Sequence, residues 1–181
     1  VFDFTDGNRG FSIGPAGGRF EVGFANPNNA PTTGAGEPIV HVNITNPLHA
    51  EGPLELAVRA NANNGQSNSI TIGTPGGSNS FLSGIKTEGS FEGLINIHGN
   101  NTIGGLLMEG STFNLTGNNN FTEEIRVLGG TLNITGANTF KGGQDFPSVT
   151  MASGILRLLN PAALGTNGIK VALGNNGQVQ L

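Results

Sequence analysis

Three pairs of polar side chains recur at near-constant spacing: Asn96 with His98, Asn114 with Thr116, and Asn133 with Thr135. The members of a pair are two residues apart, so on a strand they point to one face. Stacked, they make a flat, regularly spaced and weakly charged surface. Such a surface can hold a repetitive ligand, a surface glycan or even an ice lattice, through many weak contacts. Arg157 and Leu159 interrupt these columns, which argues against an extended ice-binding array. The plainer reading is a solvated strand face.

Bond-breaking chemistry finds little support. Glycoside cleavage needs two carboxyl groups facing each other across about 5–10 Å. Aspartate occurs only at Asp3, Asp6 and Asp145, and the side chains of the adjacent Glu123 and Glu124 diverge on a strand. Aligning the repeats puts Leu107, Arg126, Thr150 and Lys170 in one outward column and Glu109, Leu128, Ala152 and Ala172 in the next, with no acidic pair. His41, His49 and His98 lack metal-ligand spacing, and His98 reads as surface polar. The serines include no Gly-x-Ser-x-Gly elbow, and Gly104-Gly105 and Gly129-Gly130 are turn glycines with no following helix to hold phosphate. No catalytic residue, metal site or cofactor is therefore assigned.

The polar pairs sit inside an internal repeat. Residues 94–103, 112–121 and 131–140 each read apolar, polar, apolar, polar, Gly, x, Asn, x, apolar, and Gly99, Gly117 and Gly136 are 18 and 19 residues apart. A unit this short cannot close a core alone and must stack on its neighbours. A degenerate fourth copy places Leu156, Leu158 and Leu164 at the apolar positions and Asn160 at the glycine position; Val179 and Leu181 begin a fifth. Between copies lies a second alternating run, Leu106/Met108, Ile125/Val127, Val149/Met151 and Ile169/Val171/Leu173. Each unit therefore reads as two strands with turns between them.

Units of this kind predict a β-solenoid, each strand pairing in parallel with its equivalent in the next coil at about 4.8 Å. One inward column would hold Ile95, Phe113, Leu132, Leu156 and Val179, and a second Ile97, Leu115, Ile134, Leu158 and Leu181. Asn101, Asn119 and Asn138 would form a corner ladder of coil-to-coil amide hydrogen bonds.

Composition agrees. Thirty-one glycines in 181 residues, 11% charged residues and no cysteine suit short strands and many turns, with no disulfide framework and no long amphipathic helix. A net charge of -4 with eight scattered Lys and Arg gives no basic patch, so nucleic acid is excluded as a partner, and no apolar run is long enough to span a bilayer. With no initiator Met and no signal peptide, the chain is expected to be a mature protein or an excised piece.

Organisation changes near residue 60. The polar stretch 60–68 reads as a long turn, and the earlier runs Val1-Phe2-Asp3-Phe4, Phe20/Val22/Phe24, Val40/Val42/Ile44 and Leu54/Leu56/Val58 do not share the later phase. Residues 1–60 are expected to be an irregular β-rich cap or early coils, and residues 61–181 the solenoid repeats. The loop Lys141 to Ser148, with Asp145, Phe146 and Pro147, interrupts the period and would be extruded sideways, where it packs on the wall or meets a partner.

From Gly130 to Gly165 the sequence, through Gly130-Thr131-Leu132-Asn133-Ile134-Thr135-Gly136-Ala137-Asn138-Thr139-Phe140, Gly154-Ile155-Leu156-Arg157-Leu158 and Ala163-Leu164-Gly165, resembles the autotransporter-associated β-strand repeat. Residues 93–130 resemble a shorter version of it; residues 1–60 do not. The resemblance implies a right-handed parallel β-helix exported to the bacterial cell surface or beyond. The lengthened loop at 142–148 and the lack of a β-barrel translocator depart from the family pattern.

The expected fold is thus all-β, a right-handed parallel β-helix with an irregular N-terminal region. The expected function is a non-enzymatic extracellular structural or adhesive rod, and the alternative is a carbohydrate-binding or carbohydrate-cleaving β-helix. The terminal strands, with Val1, Phe2 and Phe4 at one end and Val179 and Leu181 at the other, lack charged or prolyl caps, which predicts head-to-tail joining into a filament. A segment cut from a longer solenoid would look the same.

Overall fold

The computed structural model describes residues 2–4, 11–22, 41–45, 47–58, 68–88, 93–140, 148–165 and 170–181. In chain order the strands are β1 (Phe2–Phe4), β2 (Phe11–Ile13), β3 (Gly18–Val22), β4 (His41–Ile44), β5 (Leu48–Ala50) and β6 (Leu54–Val58). There follow β7 (Ser69–Ile72), β8 (Ser78–Phe81), β9 (Ile85–Thr87), β10 (Leu94–Ile97), β11 (Asn100–Ile103) and β12 (Leu106–Met108). Then come β13 (Thr112–Leu115), β14 (Asn119–Phe121), β15 (Ile125–Val127), β16 (Thr131–Ile134) and β17 (Thr139–Phe140). The last are β18 (Val149–Leu158), a single 3-10 turn at Pro161–Leu164, and β19 (Val171–Gln180).

Every third strand pairs in parallel, so the chain winds as a three-faced β-solenoid. The first face runs β1-β4-β7-β10-β13-β16 and continues onto Ile155–Leu158 of β18. The second is the six-stranded ladder β2-β5-β8-β11-β14-β17. The third runs β3-β6-β9-β12-β15 onto Val149–Met151 of β18. One ten-residue strand thus turns from the third face into the first, joining both into a single 13-stranded sheet.

Each coil holds three strands where two were expected. The stretch after each repeat glycine is itself a strand: Asn100–Ile103 and Asn119–Phe121 pair with each other in register. The glycine before it makes the corner. Gly117 and Gly136 have φ of 84° and 81°, and a Cβ on either would run into the carbonyl oxygen of the glycine one coil earlier. Only glycine meets both demands.

The inward columns follow the period of two. Ile95, Phe113, Leu132, Leu156 and Val179 are in register, as are Ile97, Leu115, Ile134 and Leu158. All of them except Val179 are buried. Leu181 does not complete the second column, because β19 ends at Gln180 and Leu181 stands 89% exposed. On the second face Phe81, Ile103, Phe121 and Phe140 fill the interior, and the rings of Phe121 and Phe140 stack at 5.3 Å and 5°. Each such buried side chain contributes about 1.5–3 kcal/mol.

The early runs also share the later phase, contrary to expectation. Val42 and Ile44 pair with Ile70 and Ile72, which pair with Ile95 and Ile97, and β6 pairs with β9, so both ladders cross residue 60. Their phase is hidden because the spacing between equivalent positions is 28 and then 25 residues, not 18 or 19. The polar turn at 60–67 lies outside the described residues.

The corner ladder forms as the Gly-x-Asn pattern implies, and Asn79 joins it. Asn79 Nδ2 donates to Asn101 Oδ1 at 2.7 Å, Asn101 Nδ2 to Asn119 Oδ1 at 2.7 Å, and Asn119 Nδ2 to Asn138 Oδ1 at 2.8 Å. The second proton of each Nδ2 goes to a backbone carbonyl: His98 for Asn79, Gly99 for Asn101, Gly117 for Asn119 and Gly136 for Asn138. At the upper end the Leu48 N–H donates to Asn79 Oδ1 at 3.0 Å. All four asparagines are buried with their hydrogen-bonding capacity met, which is what makes polar residues affordable in such a wall.

Candidate functional site

The first face carries the polar pairs singled out in the sequence, and the structure brings them together. Asn96, Asn114 and Asn133 stand one above another, half-buried, and bond sideways: Asn96 Nδ2 to Thr71 Oγ1 at 3.3 Å, Asn114 Nδ2 to Asn96 Oδ1 at 2.8 Å, and Asn133 Nδ2 to Asn114 Oδ1 at 2.6 Å. His98 Nδ1 and Thr116 Oγ1 share a hydrogen bond of 2.8 Å, and Thr135 Oγ1 donates to the Leu115 carbonyl. The ladder stops at Asn133, whose buried Oδ1 has no partner; Arg157, next in the column, donates instead to Gln180 Oε1 at 2.7 Å. Much of this face's hydrogen-bonding capacity is therefore turned inward on itself.

The second face differs. Its outward side chains His49, Ser80, Thr102 and Asn120 are in register on β5, β8, β11 and β14, beside Ser78, Asn100 and Asn118. They line a trough of about 570 Å³ backed by the buried amide ladder. Asn100 Oδ1 accepts from the Asn118 N–H and Asn118 Oδ1 from the Ala137 N–H, which orients both amides. Ser78, Ser80, Thr102 and Asn120 make no side-chain hydrogen bond among the described residues. Among the described residues His49 is the one ionisable group in the lining.

The third face is the charged one. Arg19, Glu55, Lys86, Leu107, Arg126, Thr150 and Ala172 form one outward column; Ala172, not Lys170, pairs with Thr150 because Val171 rather than Ile169 meets Val149. Stacking does bring carboxylates together here, against expectation. Glu21, Glu55 and Glu88 converge on the Arg19 guanidinium, with Glu55 at 3.0 Å and Glu21 at 3.2 Å. Slight burial works to lower the Arg19 pKa, but hydrogen bonds to Glu88 and Glu21 and the charge of Glu55 outweigh it and raise it. The three carboxylates thus surround a permanent cation, an arrangement suited to an exposed ion-pair cluster. Glu124 accepts from the Thr150 hydroxyl, while Glu123 is exposed beside it.

The histidines stay apart: His41 bonds Ser69 Oγ at 2.7 Å, His49 lies 3.8 Å from Glu51, and His98 bonds Thr116. Among the described residues no group of three His, Asp or Glu is placed to hold a metal ion, and no helix is long and apolar enough to cross a membrane. Lys141, Asp145, Phe146 and Val1 lie outside the described residues. Phe2 and Phe4 belong to β1, the outermost strand of the first face. At the other end of the described stack Leu173 and Val179 of β19 are in register with Met151 and Leu156 and are 56% and 36% exposed.

No protein-family model, no curated protein and no solved structure matches this chain. Sequence reasoning missed the trough and the Arg19 cluster. The signal for the trough was present in the run Asn118-Asn119-Asn120 and its counterpart Asn100-Asn101-Thr102, where a buried ladder residue is flanked by two outward polar ones. The Arg19 cluster joins residues up to 69 positions apart through coils of unequal length and left no periodic trace.

Proposed function

We propose that this chain is a non-enzymatic structural or adhesive element of the bacterial cell surface, a stiff β-solenoid rod that joins end to end. The observation that carries the reading is the uninterrupted parallel stack of coils from β1 to β19, with one continuous apolar interior. Leu173 and Val179 lie where a further coil, whether of the same chain or of a second copy, would bury them, as β19 itself covers Met151 and Leu156. A parallel strand edge of this kind pairs with another strand. Coupled coils supply stiffness, since each rung is tied to the next by backbone ladders, stacked apolar columns and lateral amide bonds. The likeness of residues 93–165 to the autotransporter-associated repeat supports an extracellular setting.

Light scattering and electron microscopy on the chain across a concentration series test this reading. End-to-end particles are expected, and the double substitution Leu173→Lys/Val179→Lys is expected to abolish them while leaving the strand content unchanged. A monodisperse monomer at high concentration would rule out end-to-end joining.

A further inference from the structure

We propose that the trough on the second face is a binding groove for a neutral polysaccharide laid along the solenoid axis. Three observations converge. The first is capacity: Ser78, Ser80, Thr102 and Asn120 hold hydroxyls and an amide without side-chain partners among the described residues, whereas the corresponding groups of the first face bond one another. Hydroxyls donate and accept, and an amide does both through separate atoms, so the array matches the mixed character of sugar hydroxyls.

The second observation is geometry. Ser80, Thr102 and Asn120 occupy successive rungs, about 4.8 Å apart. That repeat is close to the rise of one pyranose along an extended chain, so each sugar lies against one rung, and because alternate rings turn over, it is the mixed donor and acceptor groups of Ser80, Thr102 and Asn120, not one repeated group, that they meet. The site is an open depression of about 570 Å³ that spans the rungs from His49 to Asn120, long enough for a chain lying along the axis to meet each of them. Behind it the Asn79, Asn101, Asn119 and Asn138 ladder holds the strands, so the groove is formed before the ligand arrives.

The third is charge. Among the described residues no Lys, Arg, Asp or Glu lines the trough, in contrast to the third face with Arg19, Glu55, Lys86 and Arg126. A polyanion finds no permanent cation among these described residues, and a neutral chain has no charge to desolvate. Contacts of this type exchange water bonds for sugar bonds at small net gain each, so affinity builds rung by rung.

That feature sets the test. Calorimetric titration of the chain uses cello-, malto- and manno-oligosaccharides of two to six residues, with polygalacturonate as the anionic control. One neutral series is expected to bind, tightening at least tenfold from disaccharide to hexasaccharide. The triple variant Ser80→Ala/Thr102→Val/Asn120→Ala is expected to weaken the hexasaccharide at least tenfold, and Thr112→Ala/Thr131→Ala on the first face to leave it unchanged. Circular dichroism checks that each variant folds; should the triple variant not fold, Asn120→Ala at its exposed position gives the same reading with a smaller loss. Several results would overturn the groove: no neutral series binding at millimolar concentration, preference for polygalacturonate, loss only in the first-face variant, or slowed ice growth that the trough variant abolishes.

Discussion

Two asparagine ladders climb this solenoid within a few residues of each other, and they behave differently. Asn79, Asn101, Asn119 and Asn138 are buried, and both protons of every Nδ2 find an acceptor. Asn96, Asn114 and Asn133 are half-buried on the outside and end on an Oδ1 with no partner. Residue type and spacing are the same; surroundings are not. Inside, an unmet donor cannot turn to water, so the ladder closes completely and ties the corner together. Outside, the column is half-exposed, so water can stand in for a lost lateral bond along it, and its one buried unmet atom, Asn133 Oδ1, lies where Arg157 turns to Gln180 and the ladder stops.

The largest expected effect lies on the dry side of that boundary. Ile134 sits inward between outward Asn133 and Thr135. Ile134→Asp places a charge in a closed apolar column and should cost about 4–5 kcal/mol, with loss of the neighbouring coils. Thermal unfolding followed by circular dichroism checks it; an unchanged midpoint would contradict the stacked core.

Next comes the inner ladder. Asn119→Ala removes the acceptor of Asn101 Nδ2 and the side-chain donor to Asn138 Oδ1 and the Gly117 carbonyl; the Asn119 N–H still reaches Asn138 Oδ1, but the buried Asn101 Nδ2 loses its lateral acceptor. A loss of about 2–3 kcal/mol is expected, read from denaturant unfolding together with faster hydrogen exchange at the Gly117 corner.

The same truncation in the outer ladder should be milder. Asn114→Ala frees Asn96 Oδ1 and Asn133 Nδ2 at half-exposed positions where water can replace the lost bond, so about 0.5–1 kcal/mol is expected. Equal losses for Asn119→Ala and Asn114→Ala in parallel titrations would remove the distinction between the ladders.

Smallest is the exposed ion-pair cluster. Arg19→Ala leaves Glu21, Glu55 and Glu88 facing one another and should lower the thermal midpoint slightly at low salt. Raising the ionic strength should erase the difference, because solvent and salt screen exposed pairs.

The regular coils were legible before folding because two short-range signals coincide in them. A period of two separates inward from outward, and a repeat of 18 or 19 residues brings Ile95, Phe113 and Leu132, or Asn101, Asn119 and Asn138, into one column. Where the coils lengthen, the second signal disappears, and with it the membership of Val42, Ile44 and Asn79 in the same columns.

The sequence by itself therefore determined the parallel stack, the inward columns of its regular part and the buried amide ladder, since each depends on local alternation and constant spacing. Tertiary structure decided the third strand of each coil, the enrolment of the early strands, the convergence of three glutamates on Arg19, and which polar face keeps its hydroxyls free. These depend on which side chain stands one rung away, about 4.8 Å along the axis. Burial of the apolar columns sets that register across loops of unequal length, and no spacing in the chain records it.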